Sequence, residues 1–232
     1  MARAPTWGAL QNAWDLGGLP TRRGLTHHGQ IFRSMNPDGV DAEGWAAIAR
    51  AGISTIVDLR NDDEVRAAPG RPTALTVIRR PIEDQNDAEF MSVWGSRLGT
   101  PAYYPEILRR WPALVASAIA SIADAPGPVL FHCAAGRDRT GMISAMIEEL
   151  VGVDRSSILD DYAAAVRAFN VWKHANPVRE KPQADAEVDA HLAIALPELT
   201  AFLDGLDIAQ YLLHAGLTEL QVDRIRTKLL DV

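Results

Sequence analysis

The chain has 232 residues, 47% of them hydrophobic, and a formal net charge of −7 at pH 7. Those figures suit one soluble domain over residues 1–232 with a sizeable core. The acidic balance argues against general binding to nucleic acid or anionic membrane, and no apolar run approaches the ~20 residues of a membrane span.

In chain order, residues 40–49 read as a helix, with Asp41 as N-cap and Gly52 just past the end. Residues 53–59 are short, apolar and rich in β-branched side chains, the pattern of a buried strand. Residues 75–78 are a weaker strand. Residues 104–123 read as a helix that Pro112 breaks or kinks near Trp111. Residues 129–132 form a central strand. Residues 138–151 form a helix whose stripe is Met142, Ile143, Met146, Ile147, Leu150 and Val151, ended by Gly152. Asp154 caps the next helix, which buries Ile158, Leu159, Tyr162 and Val166. The last helix opens with a capping box, Thr218 and Gln221, and a staple of Leu217 on Val222. This alternation predicts an α/β fold, a central mostly parallel sheet flanked by helices.

The most telling segment is Phe131-His132-Cys133-Ala134-Ala135-Gly136-Arg137-Asp138-Arg139-Thr140-Gly141. It joins a strand to a helix N-terminus and holds the chain's one cysteine. Converging backbone N–H groups bind a phosphate, and the helix dipole adds to their field. Ala134, Ala135 and Gly136 are small enough for close backbone approach, and Arg139 offers two parallel N–H bonds. Such a field favours a thiolate over a thiol, which makes Cys133 a nucleophile for in-line attack on phosphorus. The expected substrate-binding set is Ala134, Ala135, Gly136, Arg137, Asp138 and Arg139. Thr140 offers a hydroxyl to the departing sulfur, and His132 can brace the loop.

His-Cys-x-x-Gly-x-x-Arg-Thr resembles the active-site loop of the protein tyrosine phosphatase superfamily. With Arg137-Asp138-Arg139 inside it, the loop is similar to that of a bacterial subgroup of tyrosine phosphatase-like proteins. That subgroup includes secreted mycobacterial and listerial phosphatases active on phosphotyrosine and phosphoinositides. The segments Asn12-Ala13-Trp14-Asp15-Leu16-Gly17-Gly18, Ile31-Phe32-Arg33-Ser34, Ile56-Val57-Asp58-Leu59-Arg60, Asp160-Asp161-Tyr162 and Tyr211-Leu212-Leu213 resemble its other landmarks. The likeness therefore spans nearly the whole chain. Two departures stand out. Trp14 replaces a usual arginine, which predicts loss of a buried polar contact or of a substrate contact, and Arg137 replaces a common lysine, keeping the cation but changing its geometry.

A phosphate ester's leaving oxygen needs a proton. The Trp-Pro-Asp loop of classical tyrosine phosphatases is absent, since Trp111-Pro112 precedes Ala113. The resemblance implies Asp138 as the acid, against a plain helix-terminal carboxylate; Asp84 and Asp58 are the alternatives. Residues 83–105 lack a clear period, and residues 170–197 carry Pro177, Pro182 and alternating charge; a helical lid over the site is expected from at least one of these segments, against a pair of surface connections. His27-His28 reads as an exposed turn, and Asp84, Asp87 and Glu89 lack metal-ligand spacing. Arg22-Arg23, Arg79-Arg80 and Arg109-Arg110 read as solvated charges, with Arg79-Arg80 able to line an anionic pocket.

The expected activity is thus phosphomonoester hydrolysis through a phosphocysteine, with no cofactor and no metal. The partner is a phosphorylated substrate: a protein, a phosphoinositide or a small metabolite. A rhodanese-like sulfurtransferase or an inactive phosphate-binding module would share the loop, but His132, Arg139 and Thr140 favour the phosphatase. The lone cysteine excludes an intramolecular disulfide and the N-terminus carries no charged-then-apolar secretion segment, so a cytoplasmic location is expected.

Overall fold

The computed structural model describes residues 7, 10–68, 70–176 and 181–231. Its strands are β1 (Trp14–Asp15), β2 (Pro20–Thr21), β3 (Gly24–Leu25), β4 (Ile31–Ser34), β5 (Thr55–Asp58), β6 (Thr76–Arg79) and β7 (Val129–His132). Its helices are α1 (Ala42–Arg50), α2 (Ala88–Trp94), α3 (Tyr104–Arg110), α4 (Pro112–Asp124), α5 (Asp138–Leu150), α6 (Arg155–Ala175), α7 (Asp185–Asp204), α8 (Ile208–Ala215) and α9 (Glu219–Leu229). Five strands make one sheet in the order β1-β4-β7-β5-β6. Only β1 pairs antiparallel, so the sheet is mostly parallel, as the alternation predicts.

Strand period places side chains alternately on the two faces. Ile31, Val57, Val129 and Phe131 enter the larger core with α4 and α5. Their neighbours Phe32, Ile56 and Leu130 point the other way, onto Trp45 and Ile48 of α1. Burial on both faces is why these strands read as continuous apolar runs. Each such buried side chain contributes about 1.5–3 kcal/mol.

Most boundaries follow the local signals. Asp41 accepts from Gly44 N at 2.8 Å to start α1, and Gly52 leaves it at φ +77°. Thr218 and Gln221 form the capping box of α9, with Leu217 and Val222 both buried. Pro112 does more than kink: Trp111 sits at φ −129°, ψ 50°, and the expected single helix is two, α3 and α4. Asp154 starts α6 through its carbonyl, which accepts from Ser157 N and Ile158 N; its side chain makes no cap bond.

The segment 170–197 departs most from expectation. It is largely helix, the end of α6 and the first two-thirds of α7, with Pro197 inside α7. Val188, Leu192, Ala195, Leu199 and Phe202 form a buried stripe at helical spacing that outweighs the proline. Pro177 lies outside the described residues. Residues 83–105 hold α2 and two 3-10 turns, Gly95–Arg97 and Pro101–Tyr103. Buried aromatic pairs pin them: Phe90 on Trp111 at 4.9 Å, Tyr103 on Tyr104 at 5.2 Å, and Tyr104 on Phe202 at 5.4 Å between ring centroids. Among the described residues, no helix is long and apolar enough to cross a membrane.

Candidate active site

The loop from Cys133 to Arg139 leaves the end of the central strand β7 and enters α5. Its carbonyls are gripped from outside. Asn36 donates to Ala134 O through Nδ2 at 2.8 Å and through its backbone N at 3.2 Å. Asn12 Nδ2 donates to Ala135 O at 3.0 Å, Arg33 Nη2 to Gly136 O at 2.8 Å, and the Tyr104 hydroxyl to Asp138 O at 2.9 Å. A peptide whose oxygen is held outward presents its N–H inward, so these bonds build the anion nest. Gly136 takes φ +69°, and a Cβ there would lie 2.5 Å from Met35 N. Gly136→Ala therefore strains the loop twice over. We expect it to lose more than about 1 kcal/mol of stability together with most activity, measured by denaturant titration and turnover.

Trp14 does not leave a lost contact. Its indole Nε1 donates to Asn12 Oδ1 at 2.7 Å, which points the Asn12 amide NH2 at the loop. Asn12 itself sits at φ +48°, a conformation that asparagine tolerates better than most residues. Arg33 is fully buried and ion-paired to Asp161 of α6. Glu148 of α5 lies beside that pair, where burial and the Asp161 charge push its carboxyl well above the usual range.

Cys133 is buried in the loop floor. His132 Nδ1 lies 3.1 Å from Cys133 O and 3.8 Å from Asp58 Oδ1, and burial pushes its imidazole down, towards the neutral form. Asp58 accepts from Arg60 Nε at 2.9 Å and Nη2 at 2.9 Å. Burial raises its carboxyl, but Arg60 and His132 outweigh that and hold it below the usual value. Asp58 is thus an ionised brace with no proton to give. Asp84 is exposed and caps Asn86 N at 2.9 Å.

Arg139 is 7% exposed. Glu64 takes both its terminal nitrogens, Nη2 at 2.6 Å, while Asn61 N fixes Glu64 Oε2 at 2.9 Å. Glu83 Oε1 lies 3.5 Å from Arg139 Nε. Neither glutamate is singled out by sequence alone. The only cue to Glu64 is the Asn61-x-x-Glu64 capping spacing, and Glu83 has none. Burial raises the Glu64 carboxyl, but the Arg139 bonds dominate and hold it below its ordinary 4.5. The unfolded chain therefore takes up this proton first. The contribution is whole above the unfolded value and is lost as pH falls through the native one. Glu64→Gln should destabilise the protein at about pH 7, and that loss should shrink as pH falls through the native value, read by chemical unfolding across a pH series; a loss that does not change with pH would show that charge is not the cause.

Asp138 opens α5 and accepts from Arg137 Nε at 3.0 Å. Arg137 also lies over the Phe169 ring at 5.5 Å. With Glu83, Leu98, Gly99, Tyr103 and Arg139, these two line a cavity of about 320 Å³. Residues 95–103 are one wall of it, so the segment expected to cover the loop stands beside it, anchored by aromatics. Arg79 faces another cavity of about 330 Å³ with Arg66 and Arg71, whereas Arg80 bonds Ser121. His27 and His28 pair with Asp231 and Asp15. Among the described residues there is no group of three or more His, Cys, Asp or Glu placed to hold a metal.

Known proteins are similar to this chain. The chain is 25% identical to the triple specificity protein phosphatase PtpB of Mycobacterium tuberculosis, across 95% of this chain and 98% of that one. It is 31% identical to a tyrosine-protein phosphatase of Nostoc commune over half of this chain and 42% of the relative. Crystal structures of Pseudomonas aeruginosa TpbA cover 82% of this chain and 88% of theirs at 21% and 22% identity, with TM-scores of 0.41 and 0.43; the second is a cysteine-to-serine variant with pTyr. Residues 5–231 match the model of the tyrosine phosphatase family, and the chain belongs to that family.

Proposed function

We propose that this phosphatase hydrolyses phosphomonoesters through a phosphocysteine on Cys133. The observation that carries the reading is one loop that holds Cys133 and Arg139 together, with its carbonyls tied outward and Arg139 braced by Glu64. The Cys133 thiolate attacks phosphorus. The S–P bond forms, the ester O–P bond breaks, and Asp138 gives the leaving oxygen its proton. Arg139 and the loop N–H groups bear the charge on the equatorial oxygens. Water then attacks the phosphocysteine while Asp138 takes its proton back, and the sulfur leaves. The Thr140 hydroxyl is buried with no partner among the described residues, which suits a donor to that sulfur.

Phosphotyrosine is the substrate favoured here, because Leu98 and Tyr103 give the cavity an apolar side for an aryl ring. A panel of phosphotyrosine peptides, inositol phosphates and metabolite phosphates tests this, and a higher kcat/KM for either of the latter two would overturn it. Activity should survive EDTA, and vanadate should inhibit by mimicking five-coordinate phosphorus. Loss in EDTA with recovery in magnesium would sink the metal-free mechanism.

Asp138→Asn separates acid from scaffold. An alkyl phosphate leaves as a basic alkoxide and needs the proton, so the loss should be ~100- to 10,000-fold; a nitrophenyl phosphate should lose far less. A uniform loss with weaker vanadate binding would instead mean that Asp138 only shapes the loop.

A further inference from the structure

The mechanism above leaves one carboxyl unused. Glu83 follows β6, and buried Ile82 anchors it beside the loop. It is 2% exposed, yet lines the cavity with Asp138 and Arg139. Its Oε1 accepts from Gln85 Nε2 at 2.6 Å and lies 3.5 Å from Arg139 Nε. Its Oε2 is buried with no partner among the described residues. Glu64 already engages both terminal nitrogens of Arg139. The Nε edge is thus the side of the guanidinium left for phosphate, and Glu83 stands at that edge.

Charge decides how it can serve there. Glu64 balances Arg139, and the Cys133 thiolate adds a negative charge. A second carboxylate at the Nε edge would repel a phosphate dianion, whereas a carboxylic acid would offer it an O–H. We propose that Glu83 binds the substrate phosphate as a neutral acid, donating its Oε2 hydrogen to a phosphate oxygen beside Arg139, so that anion affinity depends on its protonation. This rests on the phosphatase reading of the same site.

Burial independently favours the neutral form, pushing the Glu83 carboxyl up; Arg139 and Gln85 pull it down, and Glu64 and Asp138 push it up again. The facing groups are Arg139 and Asp138 from α5, Cys133 and the Arg137 cation from the loop, Glu64 from its 3-10 turn, and Tyr103 from the cavity wall. Arg139 stays a cation, held by Glu64, and burial raises Tyr103 well above its ordinary range, so it stays neutral. Glu64 is held low and stays ionised. Asp138 and Cys133 are removed as variables by substitution.

The test uses sulfate, a dianion throughout the range, and measures its binding by calorimetry in the Cys133→Ser protein. Affinity should be constant at low pH and fall about tenfold per pH unit above the point where Glu83 ionises. Adding Glu83→Gln should keep the low-pH affinity and remove the fall, because the amide still donates but cannot ionise. Adding Asp138→Asn should leave the fall in place. Infrared difference spectra between wild type and Glu83→Gln should show the stretch of a protonated carboxyl, which is lost on raising pH. A fall that persists in Glu83→Gln, or no protonated-carboxyl band in the difference spectrum, would overturn the proposal. No sulfate binding in any variant would overturn the phosphate-loop reading itself, whereas pH-independent binding in the parent would overturn only the role of Glu83.

Discussion

Cys133→Ser should remove turnover while leaving anion binding in place. The serine hydroxyl keeps the loop's shape, but the loop field cannot ionise it at neutral pH. Removing a nucleophile from an enzyme that works through a covalent intermediate typically costs on the order of 10^4- to 10^6-fold in kcat. Cys133 has a buried, closely fitted position on the end of β7, so an isosteric change should disturb nothing around it. Sulfate, which stays tetrahedral, should therefore still bind the variant with an affinity within about tenfold of wild type, whereas vanadate loses the sulfur as its fifth ligand and should bind less tightly. Rapid quench with a labelled aryl phosphate should trap a phosphoenzyme in wild type and none in the variant. Residual turnover within tenfold of wild type would falsify covalent catalysis by Cys133.

Asp161→Asn should give the largest loss of stability. Arg33 is 0% exposed, carries the loop through Gly136 O, and has Asp161 as its ion-pair partner. Removing one partner of a buried pair costs ~3–5 kcal/mol, because the other charge is left uncompensated. Glu148 modifies that figure. Its carboxyl is kept neutral by burial and by the Asp161 charge, with Arg33 pulling the other way. Take the Asp161 charge away and Glu148 can ionise against Arg33, so the single variant should lie at the low end of that range. Glu148→Gln alone should cost little, while the double variant should cost more than the sum of the two. A double-mutant cycle from urea unfolding reads this directly, and simple additivity would show that Glu148 does not take over as counter-ion. Activity should fall with the stability, since the loop carbonyl that Arg33 holds is one of those that turn the N–H groups inward.

The local code was legible in the sequence wherever short-range chemistry decides the outcome. A nucleophile and an arginine with five residues between them, joining an apolar strand to a helix, can only sit on one tight turn. Both therefore appear on one loop, at the end of β7. The capping residues Asp41 and Thr218, the buried strands and the stripe of α5 follow from rules that span four residues or fewer. The resemblance also pointed to Asn12, Arg33, Asp58 and Asp161 without saying what they do. Their roles needed the fold, which brings β1, β4, β5 and α6 around the loop from positions more than a hundred residues apart in the case of Asn12 and Arg33.

Three matters were decided by tertiary structure alone. The helix α7 forms because its stripe finds a core to bury against, and that gain exceeds the cost of Pro197; composition shows only the proline and the charges. That Glu83, rather than the next residue Asp84, stands at Arg139 is a matter of one peptide turn: buried Ile82 fixes the chain so that Glu83 faces Arg139 and Asp84 faces water. Asp58, which looks available at a strand end, is consumed by Arg60, two residues away, whose other bonds go to Asp38. The sequence by itself determined that Cys133 and Arg139 share one loop, because chain geometry within eleven residues sets it. Which carboxylates stand beside Arg139 depends on burial and on partners distant in the chain, and only the packed structure supplies those.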